Sequence, residues 1–268
     1  MRRQARRVGL TFLALITLVA AVLAGLTWRA VRQERLNRML MEACKRADDK
    51  AAVRLLDQGA DPNCREKASA PISLWGMRVD VVTGKRPKEP SNAMTPLAYA
   101  AGANAFIPGV TPAENVGLVR ALIEHGADVD LVYGRAASSP LYYSVASLRT
   151  ATSQLLFAHG ARANGPDAGN ALFMASERPG LVADLLAHGA DIDARMTFRG
   201  RTPLIAACWA CNLRSVKTLL AHHADVNLKD ALGNTALEQM LPPGEVPQEQ
   251  ARQIREIIRL LKAAGARP

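Results

Sequence analysis

One pair of residues is spaced for redox chemistry: Cys208-Trp209-Ala210-Cys211, two thiols separated by two residues. A dithiol of that spacing works when its first cysteine opens a helix after a strand and is held there as a thiolate. Here the pair follows Thr202-Pro203, a helix start, by six residues, so it falls toward that helix's far end. Cys208 then fills a small inward position on an Ala-rich face, the ordinary use of a free cysteine. A thiol redox protein using Cys208 and Cys211 stays open as the alternative. The five histidines, His125, His159, His188, His222 and His223, are the other candidates, as metal ligands. Each falls just before or on a recurring Gly-Ala-Asp-like phrase, one or two per unit. Neighbouring helices lie ~8–10 Å apart, while ligands of one zinc approach to about 2.1 Å, so a ladder of single histidines cannot converge on an ion. Their expected role is to bond the backbone near helix ends. There is no Gly-rich phosphate loop, no Ser/His/Asp set beyond chance and no framed pair of carboxylates. No metal, no cofactor and no catalytic residue is therefore assigned, and an enzyme is not expected.

The elements that position these residues come from repetition. One phrase recurs as Gly59-Ala60-Asp61-Pro62-Asn63, Gly126-Ala127-Asp128-Val129-Asp130, Gly160-Ala161-Arg162-Ala163-Asn164, Gly189-Ala190-Asp191-Ile192-Asp193, His223-Ala224-Asp225-Val226-Asn227 and a terminal Gly265-Ala266-Arg267. A Leu-Leu-like pair precedes each, as in Leu55-Leu56 and Leu219-Leu220. Ahead of that lies Thr95-Pro96-Leu97, Ser139-Pro140-Leu141, Asn170-Ala171-Leu172, Thr202-Pro203-Leu204 or Thr235-Ala236-Leu237. A Thr or Ser hydroxyl before proline caps free backbone N–H groups, and proline tolerates the first helical turn. Glycine after the Leu pair ends a second helix by entering the left-handed region. Each unit is thus helix, turn, helix, loop, and such units bury their apolar faces only by stacking.

These two phrases, 21 residues apart in the units Ser139 to Gly160 and Thr202 to His223, strongly resemble the ankyrin repeat family over about residues 36–268. The expected fold is all-α: an ankyrin-repeat solenoid of about six helix-turn-helix units. The first, from about Leu36 to Asn63, lacks the Thr-Pro-Leu phrase and reads as an amino-terminal cap. Cys44 and Cys64 fall at opposite ends of its second helix, so no disulfide is expected between them. The 67-residue step from Gly59 to Gly126 is twice the period, yet Pro71, Pro87 and Pro90 oppose extra packed helices. Residues 65–93 read as an inserted finger loop, with Trp75, Met77, Val79 and Val81 alternating as in a β-hairpin around Thr83-Gly84. A second insertion, Gly102 to Pro112, separates the helices of the same unit. In the last unit the stretch from Pro242-Pro243 to Gln250 lengthens the link between helices. The resemblance implies a concave groove lined by finger loops and the exposed edge of each first helix. It selects Tyr133, Arg135, Glu177, Arg178, Phe198, Arg199, Arg201, Trp209 and Leu232 as partner-binding residues. Aromatic residues make up only 4% of the chain, so three of them in this small set is informative.

The charge is unevenly placed. Of a formal +10 over 268 residues, residues 1–38 hold +7, from eight arginines against Glu34, leaving the remainder near balance. Nucleic acid is accordingly not an expected partner, and neither is a small-molecule substrate. The arginines bracket 8–28, a stretch without charge or proline that, as a helix of about 31 Å, matches a bilayer's ~30 Å hydrocarbon core. The expected organisation is a basic N-terminus at 1–7, a transmembrane signal-anchor helix at 8–28, a short basic linker at 29–35 and the repeat domain at 36–268. Cleavage as a signal peptide, releasing a secreted soluble protein, is the alternative, with Val22-Leu23-Ala24 before Gly25 as a possible cut. Arg2, Arg3, Arg6 and Arg7 favour a cytoplasmic amino terminus, and the Arg-rich, Lys-poor balance suits a bacterial inner-membrane protein with its repeats in the periplasm. The expected partner is a protein with an acidic or mixed-charge patch.

Overall fold

The computed structural model describes residues 2–65, 94–106, 114–132, 138–165, 167–240 and 248–267, the side chains of 2–16 and 249–250 excepted. Most of the predicted finger loop at 65–93 and the Pro242-Pro243 stretch lie outside those residues. Among the described residues there are eleven α-helices and no strand: α1 (Arg2–Lys45), α2 (Asp49–Asp57), α3 (Pro96–Ala101), α4 (Val116–Glu124), α5 (Pro140–Ala146), α6 (Thr150–Ala158), α7 (Ala168–Ala175), α8 (Pro179–Ala187), α9 (Pro203–Trp209), α10 (Leu213–Ala221) and α11 (Gln248–Ala263). Single 3₁₀ turns occupy Ala103–Phe106 and Glu238–Met240.

The caps form where the sequence places them. Thr95 Oγ1 accepts from Ala98 N at 2.9 Å, Ser139 Oγ from Tyr142 N at 3.1 Å and Thr202 Oγ1 from Ile205 N at 3.3 Å, each with proline in the first turn. Two units depart from the pattern. The helix expected from Asn170 begins earlier, at Ala168, and Asp167 at its N-cap turns its carboxylate to the preceding repeat, accepting from Ser139 N and Oγ at 2.7 and 2.9 Å. In the last unit Thr235 and Glu238 cap each other, yet only the 3₁₀ turn Glu238–Met240 follows where a first helix was expected.

Helices α1, α3, α5, α7 and α9 stack as one layer, and the second helices of the units back it. Leu40, Leu97, Leu122, Leu156, Leu172, Leu185, Leu204, Leu219 and Leu261, all almost fully buried, run along the interface between layers. The core falls into two clusters, one ending at Ala190 and one beginning at Leu204, with Ile192 packed against both.

A ladder of hydrogen bonds joins successive loops. The last residue of one Gly-Ala-Asp-like phrase accepts from a backbone N–H in the next: Asn63 from Asp128 at 2.7 Å, Asp130 from Arg162 at 2.9 Å, Asp193 from Asp225 at 3.0 Å and Asn227 from Arg267 at 3.0 Å. The Asn63–Asp128 rung makes the phrases at Gly59 and Gly126 direct neighbours, so the 67-residue step holds one unit with insertions rather than two. At the amino-terminal end, α1 takes the place of a preceding loop: Asn37 accepts from Asp61 N at 2.9 Å and Gln33 donates to Gly59 O at 2.8 Å. The first unit is thus capped from within its own helix.

That helix is 44 residues long and passes without a break from the apolar run through 29–35 into the first repeat. Among the described residues no helix is long and apolar enough to cross a membrane. The side chains of 8–16, nearly half of the apolar run, lie outside that description; those from Thr17 to Ala30 are all exposed.

Candidate functional site

The loop from Ala194 to Thr202 carries the largest exposed aromatic residue of the described finger loops, and its shape follows from its sequence. Met196 N donates to Arg201 O at 2.8 Å, closing a hairpin whose tip residues Arg199 and Gly200 both have a φ of 56°. Two consecutive left-handed residues reverse the chain at the tip, and glycine supplies the second at no steric cost. Arg199 supplies the first at a cost of about 1 kcal/mol. Neighbouring backbone holds the turn in place. Ala231 N donates to Arg199 O at 3.0 Å, and Arg195 Nη1 donates to Gly200 O and Lys229 O at 2.7 and 2.8 Å. The loops before α9 and after α10 are therefore one unit.

This framework brings four of the predicted groove residues together. Phe198 and Trp209 are each 62% exposed, and the Arg201 guanidinium lies between them, 5.9 Å from the Phe198 ring centre and 4.9 Å from that of Trp209. Arg199 lies over Phe198 at 5.2 Å. Leu232, also 62% exposed, stands in the adjoining loop. The sequence placed Arg201 on an exposed edge; the structure buries it, at 4% exposure, because the two rings cover it and Asp230 lies behind it. Arg201 Nε is 3.8 Å from Asp230 Oδ2, close enough for an ion pair and too far for a hydrogen bond. Neither atom has a hydrogen-bond partner, while Asp230 Oδ1 accepts from Leu232 N and Asn234 N at 2.9 and 3.0 Å.

The other predicted residues are placed differently. Glu177 and Arg178 are exposed in the turn between α7 and α8, where Glu177 accepts from Asn212 Nδ2 and Arg178 serves as the N-cap of α8. Among the described residues no hydrogen bond, ion pair or ring contact joins either to the aromatic cluster. Tyr133 and Arg135 lie outside the described residues. Arg195 and Asp230 were missed. The signal for Asp230 was present, since Asp230-Ala231-Leu232-Gly233 is a turn sequence just ahead of the Thr235-Ala236-Leu237 phrase.

The thiols are ill suited to redox work. Burial pushes the Cys208 thiol up to about 12, with the nearby Cys211 thiol adding to the shift, so thiolate is scarce at neutral pH. Cys208 is fully buried and Cys211 half-buried. Burial also raises the Cys44 thiol, and Cys64 is near enough to add to it, although no disulfide joins the two. Of the histidines, His125 and His188 bond the backbone one turn back through Nδ1, to Ala121 O and Asp184 O, each at 2.8 Å. No cluster able to hold a metal occurs among the described residues.

With this geometry in view, residues 153–230 match the family described as ankyrin repeats (three copies), and that stretch carries ankyrin repeats. No curated protein matches the sequence. Among solved structures, a chain of the complex of a predatory endopeptidase from Bdellovibrio bacteriovorus with an immunity protein aligns at a TM-score of 0.57. The alignment covers 84% of this chain and 97% of that chain at 17% identity, which is a likeness of fold.

Proposed function

We propose that this ankyrin-repeat chain is a membrane-anchored binding module that engages a protein partner through its groove, and that the partner is an envelope protein it inhibits or supports. The observation that carries the reading is the surface formed by Phe198, Trp209 and Leu232, three large apolar side chains left exposed beside Arg199 and Arg201 on a repeat fold. Aromatic and arginine side chains are the usual anchors of protein interfaces, and the described residues offer no competing chemistry. The arginines favour a partner with an acidic or mixed-charge patch. The inhibitory alternative gains support from the immunity-protein complex containing the structural neighbour, through fold alone.

The membrane anchor rests on sequence and exposure together. Residues 8–28 carry no charge, arginines flank them, and Leu18, Val19, Val22, Leu23 and Leu26 are all more than half exposed on α1, covered by nothing among the described residues. Trp28, 64% exposed with Arg32 5.9 Å from its ring, suits a headgroup boundary. The repeats face the periplasm in this reading. A reporter fused after Pro268 and active only in the cytoplasm overturns that orientation, and a mature chain beginning near Gly25 replaces the anchor by a cleaved signal.

The binding reading is tested by affinity capture from envelope extracts with the intact protein, repeated with Phe198, Arg199 and Trp209 changed to alanine. Loss of one specific partner in the triple variant supports it. An unchanged set of captured proteins from a folded variant refutes it.

A further inference from the structure

We infer that Arg201 is the recognition centre of this surface, and that it takes a carboxylate from an acidic residue of the partner, set among apolar neighbours. The inference rests on the binding reading above and names the chemistry of the contact.

The argument begins with what Arg201 lacks. Its side chain is 5% exposed, and its buried Nε has no hydrogen-bond partner; its counter-charge, Asp230, stays at 3.8 Å. A guanidinium that only stabilised the fold would be expected to spend its donors on carbonyls or carboxylates, as buried Arg149 does in donating to Ala100 O and Asn104 Oδ1 at 2.9 and 3.0 Å. Arg201 instead has two aromatic rings for neighbours, and these rings are the exposed members of the cluster. A ligand therefore meets it between surface rings, while Leu204, Ile205 and Cys208 of α9 stay packed to 1% exposure or less.

Ligand class follows from geometry and charge. Rings flanking a guanidinium favour approach along its edge, where N–H donors form a planar fork that matches the two oxygens of a carboxylate. Arg195 and Arg199 add positive charge beside the site. Asp230, the acid that faces it, already has one oxygen occupied by two backbone N–H groups. The rim of Phe198, Trp209 and Leu232 asks for apolar side chains on either side of the incoming carboxylate.

The test uses the intact protein and two variants, Arg201→Lys and Asp230→Asn, with Trp209 fluorescence and the Arg201 Nε–Hε NMR signal as local readouts. The probe is the blocked peptide acetyl-Leu-Asp-Phe-amide, with its Asn counterpart as the neutral control. The aspartyl peptide is expected to shift the Arg201 signal saturably at millimolar concentration and the Asn peptide to leave it in place. Arg201→Lys keeps the charge and loses the fork, and should weaken both peptide binding and partner capture about tenfold or more. Asp230→Asn removes the competing carboxylate and should tighten the peptide. Equal shifts from the two peptides, or no shift from either, overturn the inference. So does an Arg201→Lys variant that melts lower yet captures its partner unchanged, since that marks a purely structural arginine. If Arg201→Lys retains capture while the Phe198, Arg199 and Trp209 triple variant loses it, the inference fails and the binding reading survives. If neither change alters capture, both fail.

Discussion

Replacing Gly169 by alanine should destabilise the protein, although glycine-to-alanine in a helix ordinarily does the reverse. Gly169 is the second residue of α7, and a Cβ built there would lie 2.4 Å from Ala194 O, 2.8 Å from Arg195 C and 2.8 Å from Met196 N. Those are backbone atoms of the loop that carries Phe198. Restoring ordinary contact requires the loop to withdraw by about 1 Å. Overpacking of this kind costs ~1–3 kcal/mol, against which the helix propensity of alanine returns about 0.5. The net loss is ~0.5–2.5 kcal/mol, a fall in Tm of ~2–8 °C for a chain of this size. Gly180 supplies the control. It is also second in its helix, α8, and nothing lies within 4 Å of its Cβ position, so Gly180→Ala should leave Tm unchanged or raise it by ~1–2 °C. Thermal unfolding by circular dichroism measures both. Because the displaced backbone is the base of the Phe198 hairpin, Gly169→Ala should also weaken partner capture, which Gly180→Ala leaves alone. A Gly169→Ala protein as stable as the Gly180→Ala one would show that α7 does not approach the loop as closely as described.

Three further outcomes follow from particular contacts. Asp167→Ala strips the buried acceptor from Ser139 N and Oγ and should cost ~2–3 kcal/mol, with Asp167→Asn costing less because one acceptor oxygen remains; equal melting temperatures for the two variants would refute that account. With the Cys208 thiol pushed up to about 12, native labelling at pH 8 should modify half-buried Cys211 and leave Cys208 untouched until the chain unfolds; rapid labelling of Cys208 would reopen the redox alternative. His125 titrates above its usual value, first through its bond to Ala121 O and then through Asp57, 3.3 Å from Nε2. The stabilisation from a raised histidine is fully present below the unfolded pKa and is lost as pH rises through the folded one. Asp57→Asn should therefore lower Tm at about pH 5.5 and make no difference near pH 8, and a gap independent of pH would exclude the ion pair.

The repeat architecture was legible because its determinants are local. A hydroxyl before proline caps a helix whatever surrounds it, and a glycine after a Leu pair ends one, so Thr95, Ser139, Thr202 and the glycine ladder could be read in order. What resisted reading depends on contacts between units. Asp167 looks like one more turn residue until Ser139 is seen to bind its carboxylate. Thr235 and Glu238 form a capping pair that resembles a helix start, and the chain then makes a single turn. Exposure of Phe198 and Trp209 was foreseen from their places in the repeat, whereas burial of Arg201 depends on where those rings lie and on Asp230, 29 residues away in the chain. Spacing within one unit cannot convey that.

The unbroken course of α1 has a consequence for orientation. Gln33 and Asn37 hold the first loop, and the same helix continues back through 29–35 into the apolar run, so nothing between them can swivel. The heading of the groove about the helix axis is then a matter of phase. One residue inserted between Trp28 and Gln33 would turn the whole solenoid by about 100° and lift it by ~1.5 Å, whereas seven would return it to within ~20° of its original bearing. Residue number in this short segment, more than residue type, aims the face that carries Phe198 and Trp209.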